Sequence, residues 1–185
     1  MVNIDLKKIK QENDLVGFGA QGKVYKLPPG RCIKIYKKKQ HAAMEATALR
    51  AAAGSRFFPK LYEAGSDYIV MEYIEGETLD DYLKKNGQLS KELIKEIVKM
   101  LKEMEKLNFT RVDARFRHII VTQNNKIKVI DHVNGLTYNV KYPVYLFKGL
   151  KKVGYFQSFL EEVNKLDQDL SKRWRNEMEK AKRKD

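Results

Sequence analysis

An α+β fold in two lobes is predicted by three features of this 185-residue chain. Short segments of alternating apolar and polar residues, separated by tight-turn chemistry, fill residues 14–74 around one Ala-rich stretch. Apolar residues then recur at helical spacing through much of 75–185. The most polar, glycine-containing junction between the halves is Glu75-Gly76-Glu77. The expectation is an antiparallel sheet with one helix over 1–74, then a short, mainly helical lobe over 75–185.

Residues 14–37 read as three strands. The turn Leu27-Pro28-Pro29-Gly30 joins GKVYKL to RCIKIYK, where Pro-Gly chemistry marks a tight reversal. HAAMEATALRAAA, residues 41–53, is Ala-rich and helical, and Gly54 stops it. LYEAG and SDYIVMEYI follow as two more strands meeting near Gly65-Ser66. From Glu77 the pattern turns helical. Ser90 is a good N-cap, with Leu89 and Ile94 placed for a hydrophobic staple, ahead of a helix carrying Leu93, Ile97, Leu101 and Met104 on one face. HIIVT and KIKVI are short strands joined through Gln123-Asn124-Asn125, and roughly 142–185 is helical again.

Composition narrows the classes. An apolar fraction of 43% supports a core, and no run of eighteen apolar residues offers a membrane span. The start, MVNIDLKKIKQEN, lacks an apolar signal core, so a cytoplasmic protein is expected. The single cysteine, Cys32, permits no internal disulfide, and His41, His118 and His132 form no metal-spacing motif. Thirty-seven basic against twenty-four acidic residues leave a net charge of +13, a field that favours nucleic acid, acidic protein surfaces or phosphorylated ligands. Lys172, Arg173, Arg175, Lys180, Lys182, Arg183 and Lys184 concentrate it near the C-terminus. They can serve RNA, DNA or an acidic partner, or form a solvated helix face. Trp174, inside this run, reads as a packing anchor.

GFGAQGKVYK, residues 17–26, fits two phosphate-binding patterns. G-x-x-x-x-G-K through Lys23 is a P-loop short of its last letter. A P-loop needs a Ser or Thr after the lysine and a helix to follow. Here Val24 and Tyr25, both strand formers, lead to Pro28 and Pro29, so that reading fails and Lys23 becomes a surface residue. The other pattern, G-x-G-x-x-G-x-V, asks only for a strand-turn-strand in which Gly17, Gly19 and Gly22 let backbone approach phosphate and Val24 covers a base.

The residues downstream fall in a telling order. Lys34 lies in the alternating strand Cys32-Ile33-Lys34-Ile35, and a lysine buried there needs an anion. Glu45 follows in a helix, within E-A-T-A-L. YIVMEYI then reads as an apolar strand ending in M-E-Y. In RVDARFRHIIVTQNNKIKVIDHVNG, Asp113 and Asp131 lie eighteen positions apart across two short strands.

From about Asp14 to Val133 this order resembles the protein-kinase-like superfamily. The likeness covers the glycine loop, the V-A-I-K lysine, the helix glutamate, the hinge, H-R-D and D-F-G. It implies a two-lobed kinase-like fold binding ATP with Mg²⁺, or Mn²⁺. By that resemblance Lys34, kept in place by Glu45, holds the α- and β-phosphates. Met71 lines the adenine pocket, and backbone groups of Glu72 and Ile74 bond the adenine edge. Asp131 ligates the metal, Asp113 accepts the proton of the attacking hydroxyl, and Arg115 neutralises the γ-phosphate.

Departures from the pattern shape the expected function. His118 takes the place of the asparagine that ligates a second metal, and imidazole suits manganese better than magnesium. Asp131-His132-Val133 keeps only the aspartate of D-F-G, and Val112 replaces the arginine of H-R-D. No A-P-E follows, and only 54 residues remain after Asp131. In this brevity the chain resembles compact atypical kinases of the Rio type and small bacterial Ser/Thr kinase-like proteins. The resemblance implies an ATP-dependent Ser/Thr protein kinase acting on a protein substrate or on itself. The alternative is a pseudokinase, a nucleotide-binding or interaction module associated with nucleic acid or an acidic partner.

Overall fold

Gly30, at φ 62°, lets the chain reverse directly after Pro28-Pro29. Strands β2 (Gly22–Leu27) and β3 (Arg31–Tyr36) therefore pair antiparallel, with Val24 opposite Lys34 and Tyr25 opposite Ile33. A computed structural model describes residues 6–183, and the chain divides into two units after Ile74. In the first unit, β1 (Leu15–Phe18), β4 (Leu61–Ala64) and β5 (Tyr68–Glu72) complete an antiparallel sheet of order β1-β2-β3-β5-β4.

Strand alternation gives this sheet two different faces. One carries Tyr25, Ile33 and Val70, against which Leu6 and Ile9 pack from helix α1 (Leu6–Glu12). That helix has no counterpart among the elements expected from sequence, although Leu6 and Ile9 stand at helical spacing. The other face carries Val24, Lys34 and Ile69 at paired positions. Helix α2 (Lys39–Ala51) packs against β3, β4 and β5, burying Ala42, Glu45, Ala46, Ala48 and Leu49.

In the second unit Gly76 precedes β6 (Glu77–Thr78), which pairs with Ile120 and Val121 of β7 (Ile119–Val121). A Cβ on Gly76 would fall 2.4 Å from the Val121 carbonyl, so only glycine fits there. The helical pattern expected from Glu77 thus begins two residues later, at α3 (Leu79–Asn86), with Thr78 as its N-cap. Strand β8 (Ile127–Val129) completes a small antiparallel sheet.

Ser90 Oγ accepts the Leu93 amide at 3.1 Å and starts α4 (Lys91–Lys106). Its Leu93, Ile97, Met100, Leu101 and Met104 are buried in the unit's core. Three helices close the unit: α5 (Val144–Lys152), α6 (Phe156–Leu166) and α7 (Gln168–Lys182). Phe147 of α5 meets Phe156, Phe159 and Trp174 edge-on at 5.2, 6.1 and 5.4 Å, the favoured aromatic geometry. Trp174, 1% exposed, is the packing anchor of α7. No helix among the described residues is long and apolar enough to cross a membrane.

Candidate active site

In the first unit the loop between β1 and β2 closes through the Gly19 amide, which donates to the Gly22 carbonyl at 3.0 Å. Its glycines differ in what demands them. A Cβ on Gly22 would lie 2.0 Å from the Ile35 carbonyl, so strand packing alone requires glycine there. A Cβ on Gly17 would approach Val24 Cβ at 3.3 Å, and one on Gly19 would meet nothing within 4 Å. Lys23 is exposed, its Nζ 5.9 Å from the Phe18 ring.

Beside this loop lies a buried ion pair. Lys34 Nζ donates to Glu45 Oε2 at 2.6 Å, and Tyr36 Oη donates to the same oxygen at 2.6 Å. Lys34 also reaches Gln21 Oε1 of the glycine loop at 3.3 Å. Lys34 is 8% exposed, Tyr36 5% and Glu45 1%. A carboxylate this buried is tolerable because two donors satisfy it. Tyr36 and Gln21 were not among the expected site residues. Tyr36 lies two residues beyond Lys34 and so on the same strand face, a usable signal; Gln21 carries none.

Met71 is buried opposite Cys32 on β3, and the Cys32 thiol points to the Glu72 carbonyl at 3.8 Å. Burial, then Glu45, pushes that thiol up to about 12, so it stays protonated. The Glu72 amide donates to the Lys60 carbonyl at 2.8 Å, and the Glu72 carbonyl receives the weak sulfur contact.

In the second unit Asp113 is 6% exposed. Its Oδ2 accepts the Tyr145 amide at 2.8 Å and its Oδ1 the Leu146 amide at 3.1 Å, both from the first turn of α5. The carboxylate therefore caps a helix and meets its positive end. Burial pushes the Asp113 acid above the ordinary carboxylate range. The Tyr145, Leu146 and Ala114 amides and the Arg111 charge oppose that shift without cancelling it. Arg115 stacks on the Tyr145 ring, its guanidinium carbon 3.9 Å from the centroid. Only Pro143-Val144-Tyr145, at a helix start, hinted at this partner.

His118 and Asp131 come together, Nε2 to Oδ2 at 3.4 Å, and Arg117 Nε lies 3.1 Å from the same imidazole nitrogen. Asp131 sits at φ 67°, a left-handed conformation that is strained for a non-glycine residue and concentrates at functional positions. His132 turns away into the core, its Nε2 2.8 Å from the Val129 carbonyl and its ring edge-on to Phe109 at 5.9 Å. Among the described residues no three His, Cys, Asp or Glu side chains form a metal cluster, so this unit offers a carboxylate and an imidazole side by side.

The basic C-terminal run is partly spent on folding. Arg173 pairs with Glu105, Lys180 with Glu177 at 2.7 Å, and Arg175 Nε reaches Ser171 Oγ at 3.5 Å. Lys172, Lys182 and Arg183 are exposed, and Lys184 lies outside the described residues.

Curated relatives carry kinase names. The chain is 31% identical over 131 residues, 68% of its length, to the Bacillus subtilis protein named "Putative serine/threonine-protein kinase YrzF". It is 39% identical over 69 residues (35% of its length) to a "Probable serine/threonine-protein kinase" of Clostridium perfringens. It is 34% identical over 95 residues (47% of its length) to one of Clostridium acetobutylicum with the same description. The chain spans 61% of the length of the first relative, 10% of the second and 14% of the third. No protein-family model matches it.

Proposed function

The chain is protein-kinase-like in sequence and in fold, and on that premise we propose that it is an ATP-dependent phosphotransferase acting on Ser or Thr hydroxyls of proteins, its own included. The observation that carries this reading is the Lys34–Glu45 pair at 2.6 Å. Folding gains little from burying a lysine and a glutamate, whereas a cation held on a sheet face beside a glycine loop suits a polyphosphate.

On this reading the first unit binds the nucleotide. Gly17, Gly19 and Gly22 admit phosphate oxygens to the loop backbone, Lys34 holds the α- and β-phosphates, and Val24 and Met71 enclose the base. The Glu72 carbonyl and the Ile74 amide bond its edge. In the second unit Asp131 and His118 are the metal ligands. A single carboxylate beside an imidazole suits a cation that also binds phosphates and water, Mg²⁺ or more readily Mn²⁺, which supplies charge neutralisation when bound. Arg115 offers a permanent cation to the γ-phosphate. Asp113 takes the acceptor's proton as the hydroxyl oxygen bonds the γ-phosphorus and the bond to the bridging oxygen of the departing ADP breaks. A carboxylate has about four lone-pair directions, and the Tyr145, Leu146 and Ala114 amides use three, so room remains for one hydroxyl. The cytoplasm, where ATP is plentiful, is the compartment this activity needs.

One observation favours a second reading. Asp113 is buried and engaged by α5, which also suits a pseudokinase that binds nucleotide without transferring phosphate.

Thermal melts with ATP, Mg²⁺ and Mn²⁺, together with transfer of labelled γ-phosphate to protein, test both. Saturating ATP at about 100 times its dissociation constant would add about 2.7 kcal/mol to stability. A phosphotransferase labels protein and Asp113→Ala does not. A pseudokinase shows the thermal shift alone. No shift with either metal defeats both readings.

A further inference from the structure

Three cations surround one tyrosine ring beside Asp113. The guanidinium carbons of Arg115 and Arg111 lie 3.9 and 5.0 Å from the Tyr145 centroid, and Lys148 Nζ lies at 5.9 Å. Among the described residues none of the three makes an ion pair. The carboxylate that feels Arg111 is Asp113, whose two oxygens already accept the α5 amides. Like charges gathered on one ring repel, and each keeps unused N–H donors. An anion placed there relieves the repulsion and finds donors waiting.

Lys148 also belongs to a second feature. With Lys151, Arg175 and Lys182 it rims a groove of about 310 Å³ whose apolar lining includes Phe147 and Met178, against one acidic residue, Glu179. The aromatic rings lining this surface already have partners: Tyr145 holds Arg115, Phe156 holds Lys151 at 4.8 Å and Phe147 at 5.2 Å, and Tyr142 stands against Phe147 at 5.8 Å. Nucleic-acid bases need open faces on which to stack, so this surface fits carboxylates and aliphatic side chains better.

Resting on the phosphotransferase reading, we propose that the acceptor is an acidic segment of protein. Its Ser or Thr is flanked by Asp, Glu or phosphorylated side chains, which Arg111 and Lys148 hold next to Asp113. An apolar residue of the same segment enters the groove. Arg115 remains with the transferred phosphate.

Fluorescence anisotropy of the whole chain with three labelled peptides tests this. One carries Ser among Glu and Leu, one has Lys for each Glu, and one has Gln. A short single-stranded RNA is the fourth probe. The acidic peptide should bind about tenfold more tightly than the lysine peptide, and Arg111→Gln with Lys148→Glu should remove that preference. Lys91→Glu with Lys95→Glu, on the exposed side of α4, should preserve it. Lys148→Glu alone, at an exposed position, gives a partial loss if the double variant folds poorly. Equal binding of the three peptides overturns the proposal. So does an equal loss in the α4 variant, or RNA binding that exceeds the acidic peptide and depends on Lys148. ATP melts of the same variants separate the two levels of inference. A normal ATP shift without peptide selectivity removes the acceptor assignment alone. No ATP shift in the wild type removes the phosphotransferase reading, and the acceptor assignment falls with it.

Discussion

Lys34 and Glu45 meet within hydrogen-bond distance, 2.6 Å, with the glutamate 1% exposed. Removing one partner of such a pair leaves a buried charge uncompensated. Lys34→Met is expected to cost about 3–5 kcal/mol in urea unfolding, and Lys34→Met with Glu45→Leu less than Lys34→Met alone. Tyr36→Phe deletes the second donor to the same oxygen and should cost about 1.5–3 kcal/mol. A double variant as unstable as the single one would show that the pair contributes more than mutual neutralisation.

The glycine loop should separate folding from binding. Gly22→Ala drives a Cβ to 2.0 Å from the Ile35 carbonyl and is expected to lower the melting temperature without any ligand. Gly19→Ala meets nothing within 4 Å, so its unliganded melting temperature should stay near wild type while the ATP-dependent rise shrinks. An unchanged ATP response in Gly19→Ala would remove that position from nucleotide binding.

Asp113 should leave a signature in the pH dependence of stability. Its acid is raised by burial, so the native state keeps this proton to higher pH than the unfolded state does. The stability it contributes is full below the unfolded value, about 3.9, and is lost as pH rises through the higher folded value. Subtracting the unfolding free energies of Asp113→Asn from those of wild type should isolate that downward slope. The same variant should slow phosphoryl transfer by about 10²–10⁴-fold. Parallel pH curves for the two proteins would count against a buried, proton-retaining Asp113.

Asp167 predicts the opposite sign. Its carboxylate accepts Lys102 Nζ at 2.7 Å and the Leu170 amide at 2.9 Å, and these partners hold its acid below the ordinary value. Its contribution is therefore present above the unfolded value and lost as pH falls through the lowered folded one. Asp167→Ala should cost about 1 kcal/mol at neutral pH through the lost α7 cap, and Asp167→Asn less. Equal costs for the two variants would mean that the charge, not the cap, carries the effect.

Much of the fold was legible because its signals are local. Alternation at Cys32-Ile33-Lys34-Ile35, turn chemistry at Pro28-Pro29-Gly30, the cap at Ser90 and helical spacing from Leu93 to Met104 each act within a few residues. Helix α1 was missed because seven residues with two apolar positions carry little periodicity of their own. Its place comes from Leu6 and Ile9 packing on Tyr25, Ile33 and Val70. The start of α3 was misplaced by two residues because β6 owes its conformation to pairing with β7, where Glu77 meets Val121 and Thr78 meets Ile120 from far along the chain.

The sequence by itself determined the order of the chemical groups: a glycine loop, a strand lysine, a helix glutamate and two aspartates eighteen positions apart. Tertiary structure alone decided what those groups face. Lys34 and Glu45 pair as the order implied, but Tyr36 and Gln21 join them, and Asp113 faces the first turn of α5, thirty-two residues away. Spacing along a chain records residue type and local periodicity. A carboxylate's partners depend on which backbone amides the folded core leaves unpaired nearby, and here those belong to a helix whose position is set by the packing of Phe147 against Trp174.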